Sequence, residues 1–360
     1  MRFILSLIIL SLCAAGAFAV EVNVPTDDVS VNIGGLLQVG HFHRYLGEYR
    51  SSTPLDHSEF AISEAEFRIY GTLFERVDYD LRCDLTVRSQ LLSSVREVSI
   101  GTALPAGFSV KIGRVFVPFG AEATTNEAFR TCANITASSS TIAPGRNDGV
   151  RFDYLLERDA WPYKIGAAAG VFDGTSPLMD GAGRIYGAPV PGLRQLELGA
   201  SYYYHKTQRR RYGEYPIVNE EYFAPEPRAG GDLSFSTWRV TFAAEYMQRF
   251  VNDYPFELVP RREPYYGYKD TFHKGYFGTL TYTHPLPWEY FQDFMPYARY
   301  ERWMPAVLER GDIAEDRYTA GFALHFLDRN LMFRSDYTRI LEDEYPITND
   351  RITSEFQVMF

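Results

Sequence analysis

The stretch EAEFRIYGTLFE, residues 64–75, alternates strictly between polar and apolar side chains. Ala65, Phe67 and Ile69 stand between charged residues such as Glu66 and Arg68. A period of two is typical of a β-strand that has one apolar and one polar face. The following segment, DYDLRCDLTVR at 78–88, repeats the pattern. We therefore predict two neighbouring strands, joined by the short connection FERVD.

The same alternation recurs further along the chain. It appears in RQLELGASYYYH at 194–205, in RYTAGFALHF at 317–326 and in ITSEFQVMF at 352–360. Each segment is about ten residues long, which is enough for a tilted strand to cross a bilayer. A soluble two-sheet sandwich would also alternate, so the period alone leaves both folds open.

Three features favour a membrane barrel over a sandwich. The polar faces are rich in charge, as in the row Asp80, Arg82 and Asp84. Tight connections alternate with long polar loops at 118–146, 207–226 and 251–271, as in outer-membrane barrels. Aromatic residues stand near the ends of the apolar faces, where interfacial girdles form: Tyr79, Tyr202, Tyr204, Tyr318 and Tyr337. We predict an all-β fold, a transmembrane antiparallel β-barrel.

We expect sixteen strands, an even number typical of single-chain barrels of this kind. A count of fourteen stays open, because two segments are short and rich in glycine, 183–190 and 227–236. The expected strands are 31–45, 59–74, 77–88, 94–103, 107–117, 147–157, 162–172, 183–190, 193–206, 227–236, 239–250, 272–284, 295–303, 314–327, 331–341 and 350–360.

The first residues have the pattern of a secretory signal peptide. Arg2 precedes an apolar run, and Ala17-Phe18-Ala19 is an A-x-A cleavage site. We expect a signal peptide at 1–19 and a single barrel domain at 20–360. A lipoprotein anchor at Cys13 is the alternative, but Leu12 stands where a small residue would be expected.

The charge balance and the cysteines exclude several classes of protein. With 46 acidic and 36 basic residues the net charge is -10, which argues against nucleic acid as a partner. Cys83 and Cys132 alone follow the signal peptide, so no disulfide framework is indicated. No zinc, P-loop or dinucleotide motif occurs, and we predict no cofactor and no metal site.

Several motifs together resemble a known family. They are IYGTLFERVDYDLRCDLT at 69–86, VKIGRVFVPFGAEATTNEAF at 110–129, IAPGRNDGVRF at 142–152 and LHFLDRNLMFRSDYTRI at 324–340. These stretches are similar to the phosphate-selective porin O and P family. The resemblance implies a trimeric, sixteen-stranded outer-membrane porin that passes phosphate and other small anions. It also implies that the loop at 118–146 folds into the barrel and narrows it.

Two departures from the family pattern bear on selectivity. Glu64 and Glu66 stand where members of the family commonly carry arginines, and Phe116 stands where a lysine is common. Anion selectivity requires basic side chains at the constriction. The resemblance therefore implies the pore more strongly than a preference for phosphate, and a non-selective or cation-preferring general porin is the alternative.

Six basic residues are the candidates for pore-lining, anion-binding sites. The strand phase directs Arg82, Arg88 and Arg151 to the lumen, and it directs Lys111 there if Ile112 faces lipid. The inward loop and its exit add Arg130 and Arg146. The alternative for each wall residue is a structural ion pair, because intramembrane charges must be paired in any case. Arg146 could likewise anchor the loop by pairing with an acid such as Asp148 or Asp153.

Other partners follow from the ends and the loops of the barrel. Phe360, on the lipid-facing set of the last strand, resembles the signal read by the outer-membrane barrel assembly machinery. The run Arg209-Arg210-Arg211 suits a solvated face or a contact with lipopolysaccharide, and the alternative is that it gathers anions at the mouth of the channel. The seven histidines are scattered and none lies in a catalytic motif, so we predict no enzyme. An enzymatic, structural or adhesive barrel remains the other alternative.

Overall fold

A computed structural model gives the structure of residues 20–22, 28–45, 57–86, 94–157, 163–174, 179–190, 193, 195–211, 220–251, 271–305, 314–343 and 349–360. Within these ranges, sixteen long strands form one closed antiparallel barrel, and two short strands, Val20–Val22 and His284–Pro285, also pair with the sheet. We label them β1 Val29–Arg44, β2 His57–Leu73, β3 Val77–Asp84, β4 Val95–Ala103, β5 Phe108–Phe116, β6 Arg146–Glu157, β7 Lys164–Phe172, β8 Asp180–Ala188, β9 Leu196–Tyr204, β10 Arg228–Thr237, β11 Val240–Val251, β12 Thr271–Tyr282, β13 Phe291–Met304, β14 Glu315–Phe326, β15 Leu331–Glu342 and β16 Arg351–Met359.

The barrel is closed by its first and last strands. β16 pairs with β1 in antiparallel register, which places Val39 opposite Phe356. Every other strand pairs with its neighbours in the chain, so no edge is left open. The prediction of a sixteen-stranded antiparallel barrel is confirmed, and the alternative of fourteen strands is wrong.

The side chains are distributed in the opposite sense to a water-soluble protein. Charged groups such as Glu64, Arg82 and Glu355 are buried inside the barrel. Large apolar residues lie exposed on its outside, where Phe60 is 77% and Ile112 is 58% exposed. Such an apolar outer band around a polar interior suits a barrel embedded in hydrocarbon. Among the described residues, none of the helices is long and apolar enough to span a membrane.

One predicted loop contains regular structure. Lys206–Arg211 and Glu220–Pro225 form a separate two-stranded antiparallel sheet inside the segment 207–226. The charged composition of these strands gives no apolar alternation, so the period could not reveal them. Their register places Arg211 opposite Glu220.

Two β-bulges change which side chains point inward. Arg82 pairs with Glu97 and Cys83 with Val95, so Arg96 is an extra residue in β4. A second bulge leaves Ser63 as an extra residue in β2. A bulge redirects the side chains beside it. In β4 it brings the consecutive residues Arg96 and Glu97 to the same, inner side of the wall, as their ion pairs show.

The segment 117–145 between β5 and β6 folds into the barrel, as the family resemblance implied. It contains two short helices, α1 Ala121–Thr124 and α2 Ala137–Ile142. Apolar residues of the segment and its flanks pack against the inner wall: Val115, Val117, Phe119, Ala137 and Ile142 meet Phe172, Tyr203, Met247 and Trp303. We call residues 117–145 the inward loop. Its apolar side explains why the loop stays inside a barrel that is otherwise polar.

Phe360 continues the closing seam beyond β16. The backbone N–H of Gly35 donates to the Phe360 carbonyl at 2.8 Å, and the Phe360 N–H donates to the Gly35 carbonyl at 3.2 Å. A β-carbon at position 35 would lie 2.5 Å from the ζ-carbon of the Phe360 ring. Glycine at position 35 therefore leaves the space in which the terminal ring rests on the outer face of β1.

Deleting Phe360 is expected to lower the amount of folded barrel in the outer membrane, because it removes both seam hydrogen bonds and the terminal ring. Heat-modifiable mobility of membrane extracts on gels would measure the folded fraction. Phe360→Tyr, which keeps the ring and the backbone, should accumulate normally. Normal accumulation of the deletion variant would contradict a role of Phe360 in assembly.

Candidate functional site

Two wall carboxylates hold the starts of the helices in the inward loop. Glu245 on β11 accepts hydrogen bonds from the backbone N–H groups of Ala121 at 2.8 Å and Glu122 at 3.0 Å. Glu301 on β13 accepts from the N–H groups of Ala137 at 2.6 Å and Ser138 at 3.2 Å. The first N–H groups of a helix have no partner within the helix. The wall thus supplies the acceptors that the loop lacks.

Arg299 on β13 ties two parts of the inward loop to the wall. Its guanidinium pairs with Glu122 at 2.8 Å and donates to the carbonyl of Asn134 at 3.0 Å. It also donates to the Thr279 hydroxyl at 3.0 Å, and its side chain is 9% exposed. Arg299 therefore serves as a buried cross-link between loop and barrel.

A second group of contacts holds the middle of the loop against β15 and β16. Arg334, which is ion-paired with Glu355, donates to the carbonyl of Arg130 at 2.9 Å. Asp336 accepts from the N–H of Ala133 at 3.2 Å, and Gln357 donates to the carbonyl of Ala128 at 3.1 Å. These contacts show that the loop reaches a part of the wall that is several strands away from β5 and β6.

The charged residues on the β2–β4 wall form a dense network. The guanidinium of Arg82 lies 3.1 Å from Asp80, 3.6 Å from Glu97 and 3.9 Å from Glu66. Arg82 faces the lumen as the strand phase predicts, but it is 8% exposed. The geometry matches the alternative of a structural ion pair for this residue.

Arg96 was missed by the sequence reasoning. Its guanidinium pairs with Glu64, lies 2.9 Å from Asp84 and reaches Glu127 on the inward loop at 4.0 Å. Alternation alone assigns only one of the neighbours Arg96 and Glu97 to the lumen. No signal in the sequence marks the bulge that turns both inward.

Arg146, at the exit of the inward loop, is fully engaged. Its guanidinium nitrogens lie 3.2 and 3.3 Å from the two Glu127 oxygens and 3.4 Å from Glu97. Its guanidinium carbon also lies 3.8 Å from the centroid of the Phe116 ring, a cation–π contact. The aromatic residue in place of the family's lysine thus supports an arginine.

The acids suggested as anchors for Arg146 have other partners. Asp148 pairs with Arg114 at 2.8 Å and Asp153 with Arg151 at 2.6 Å. Anchoring of the loop by Arg146 is nevertheless what the geometry shows, through Glu97 and Glu127. The partners were missed because Glu97 lies on a different hairpin, and nothing in the sequence indicates that the hairpin meets the loop.

Arg130 is the one basic residue of the inward loop, and it is less engaged than Arg146 at the exit of the loop. Its terminal nitrogen lies 3.5 Å from Glu127 and 3.4 Å from the carbonyl of Thr125, both at the limit of a hydrogen bond. Its Nε is buried and has no hydrogen-bond partner among the described residues. The side chain lines two cavities, of about 340 and 220 Å³. Arg130 is thus placed to meet a solute.

The charges around Glu127 determine its ionisation. Burial by itself would raise the pKa of the Glu127 carboxyl, but Arg146 and Arg130 outweigh burial and lower the pKa below its usual value. Glu127 therefore stays ionised in the inward loop and neutralises part of the charge of both arginines.

The remaining predicted residues lie apart from this network. Lys111 is exposed inside the barrel, lines a cavity of about 390 Å³ together with Arg68, and makes no ion pair with any described residue. Arg151 pairs with Asp153 and donates to the carbonyl of Phe116 at 3.0 Å. Arg88 lies outside the described residues, so its prediction stays untested.

Comparison with known proteins connects this geometry to a family. A family model described as phosphate-selective porin O and P matches residues 42–301. The chain belongs to this family. None of the curated proteins compared with it is similar enough to match.

Solved structures of other outer-membrane proteins share the fold. OmpT of Vibrio cholerae is 10% identical, with 95% of this chain and 100% of that one covered and a TM-score of 0.60. The outer membrane channel DcaP of Acinetobacter baumannii is 11% identical, with 92% and 98% covered and a TM-score of 0.59. An anion-selective porin from Comamonas acidovorans is 11% identical, with 92% and 100% covered and a TM-score of 0.58. At these identities the likeness shows the fold alone.

Family and fold together make this protein an outer-membrane porin, whose lumen is narrowed by the inward loop. The family resemblance seen in the motifs is confirmed. The structure also places Glu64 and Glu66 inside the barrel, where they are 6% and 7% exposed. These two acids, which stand where the family commonly carries arginines, thus lie beside Glu127 of the inward loop.

Cys132 in the inward loop offers a direct measure of how firmly the loop is held. Burial raises the pKa of its thiol to about 11, and the side chain is 2% exposed. Since the thiolate is the reactive form, on the order of 10⁻⁴ of the thiol is ionised at pH 7. In a Cys83→Ala background, maleimide should label Cys132 slowly in the folded protein and at the rate of a free thiol after denaturation.

Glu301→Gln is expected to accelerate this labelling by at least tenfold, because it weakens the acceptor of two loop N–H groups. Charged hydrogen bonds of this kind contribute about 1.5–3 kcal/mol each. Glu289→Gln, at an exposed turn, is the matched control and should label at the parent rate. Equal rates in the two variants would show that Glu301 does not hold the loop.

Proposed function

We propose that this porin gives passive, water-filled diffusion of small hydrophilic solutes across the outer membrane, with a modest preference for phosphate and other anions. The proposal assigns it no catalytic activity. The observation that carries the anion preference is Arg130, a loop guanidinium whose Nε has no hydrogen-bond partner among the described residues and whose side chain lines two cavities in the lumen. Charges beside low-dielectric walls act strongly on passing ions.

The other arginines near the loop support a smaller role in selectivity. Arg146 and Arg299 are engaged with carboxylates and with the loop itself, so their charge is largely neutralised. Lys111 is exposed near the short-turn end of the barrel, which is the periplasmic end in outer-membrane barrels. A small anion would thus meet Lys111 in the vestibule and Arg130 at the loop.

A second candidate function is supported by a separate observation. Glu64 and Glu66 lie within the lumen close to Glu127, and carboxylates at a constriction favour cations. A general porin without preference, or with a preference for cations, would follow if these acids outweigh Arg130. The sign of the selectivity therefore depends on a few residues on either side of one loop.

Further partners are proposed on the family and the fold. A trimer form of Vibrio cholerae OmpT is among the similar structures, and the Comamonas porin is described as anion-selective. These support a homotrimer and passage of anions for this chain. We also propose removal of residues 1–19 as a signal peptide, recognition of Phe360 by the barrel assembly machinery and contact of the outer loops with lipopolysaccharide.

Reversal potential in planar bilayers under a salt gradient tests the proposed selectivity. The parent channel should prefer anions, and Arg130→Gln should shift the reversal potential toward cations at a conductance of the same order. Arg339→Gln is the matched control, since Arg339 is an exposed arginine with no ion pair among the described residues. An unchanged potential in Arg130→Gln, or a cation-selective parent, would refute the anion preference.

Arg146→Gln separates the anchoring role from the selectivity role. Because Arg146 contacts Glu97, Glu127 and Phe116, its loss should make the single-channel current noisier by loosening the exit of the loop. The shift in reversal potential should be smaller than in Arg130→Gln. A larger shift in Arg146→Gln would mean that Arg146 itself is the main anion contact.

A further inference from the structure

Three carboxylates from two parts of the chain converge where the inward loop meets the wall. One oxygen each of Glu64, Glu66 and Glu127 lies within 4.8 Å of the other two. Three oxygens with separations of up to 4.8 Å lie at most about 2.8 Å from a common centre, whereas calcium binds oxygen ligands at about 2.3–2.6 Å. A movement of a few tenths of an ångström by the side chains therefore brings all three oxygens into contact with one ion. β2 supplies two of the ligands and the loop supplies the third.

The charges around these carboxylates do not balance. Arg96 forms ion pairs with Glu64 and Asp84, whereas Arg146 forms ion pairs with Glu97 and Glu127. Across the whole network, six acids face five arginines: Glu64, Glu66, Asp80, Asp84, Glu97 and Glu127 face Arg68, Arg82, Arg96, Arg130 and Arg146. One negative charge is left over.

The surplus charge is located at Glu66. Its single ion pair among the described residues is with Arg82 at 3.9 Å, and Arg82 is nearer to Asp80 and Glu97. Glu66 is 7% exposed, and its Oε2 is buried without a hydrogen-bond partner among the described residues. Burial of a carboxylate whose counter-charge is distant and shared with other acids is unfavourable. The site therefore lacks one positive charge next to Glu66.

We propose that Glu64, Glu66 and Glu127 bind a calcium ion at the junction of the inward loop and β2. The donor atoms are all carboxylate oxygens, which select hard cations over zinc or copper. Calcium accepts irregular geometry, whereas magnesium requires a near-octahedral shell and retains its waters. Three protein ligands completed by water give a weak site, with a Kd of about 0.1–1 mM by analogy with other weak calcium modules.

The bound ion has a consequence for the channel beyond the proposed passage of solutes. It places two positive charges beside Glu127, the carboxylate that otherwise lies 3.5 Å from Arg130. The constriction then becomes more attractive to anions and the loop is cross-linked to β2. Calcium in the medium would thus set the selectivity of the channel and the rigidity of the loop together.

Calcium binding is tested on protein refolded from inclusion bodies, because lipopolysaccharide itself binds divalent cations. Titration calorimetry with calcium chloride in detergent should show one site per chain. Glu66→Gln, which keeps the shape of the side chain, should weaken binding at least tenfold. Glu75→Gln, on an exposed turn, is the matched control and should bind as the parent does. No saturable binding by the parent, or equal binding by Glu66→Gln, overturns the site.

A second measurement remains informative if Glu66→Gln folds poorly. Glu127→Gln removes the loop ligand, and should also abolish the calcium response. In bilayers at constant ionic strength, millimolar calcium should move the reversal potential of the parent toward anions, and should leave Glu127→Gln unmoved. If the parent does not respond to calcium but still prefers anions in EDTA, the calcium site is wrong and the proposed function stands.

Discussion

The inward loop can remain in the barrel because carboxylates on the wall accept its backbone N–H groups. Glu245 and Glu301 face N–H groups at the starts of α1 and α2, while Asp336 accepts the N–H of Ala133. The backbone N–H groups of a loop in a narrow lumen lose their hydrogen bonds to water. Each N–H group that found no protein acceptor would lower the stability of the folded protein by about 1–3 kcal/mol. Apolar packing by Phe119 and Ile142 holds the loop in place, and the carboxylates make its position specific.

These acids also explain the large number of arginines inside the barrel. A wall that carries enough carboxylates to hold the loop would repel itself, so several acids near the loop have a guanidinium beside them: Arg299 pairs with Glu122 and Arg317 lies 3.9 Å from Glu301. Loop stability and ion selectivity therefore depend on the same charges. An arginine whose donors are all taken by acids holds the loop in place, whereas Arg130, whose Nε has no hydrogen-bond partner among the described residues, is the one we propose as a contact for solutes.

The fold could be predicted from sequence because alternation reports directly on a wall with one polar and one apolar face. The phase of β3 and β16 placed Arg82, Glu355 and Gln357 inside correctly. The site could be predicted only in part, since its contacts join residues that are far apart in the chain, such as Ala121 and Glu245. Arg96 was missed because a bulge interrupts the period, and the hairpin at 206–225 because its charged strands have none.

Net charge is a poor guide to the selectivity of such a channel. The chain carries -10, but acids on outer loops are screened within about 8 Å at physiological salt. In the charged network beside the inward loop, acidic and basic side chains are nearly equal in number. One charged group can therefore decide whether the channel prefers anions or cations. Glu127 neutralises part of Arg130, and Glu66 leaves one negative charge unmatched beside it. A porin of a family described as phosphate-selective can therefore lose or regain its preference by changing a single carboxylate, or by occupying it with a cation, while its barrel stays the same.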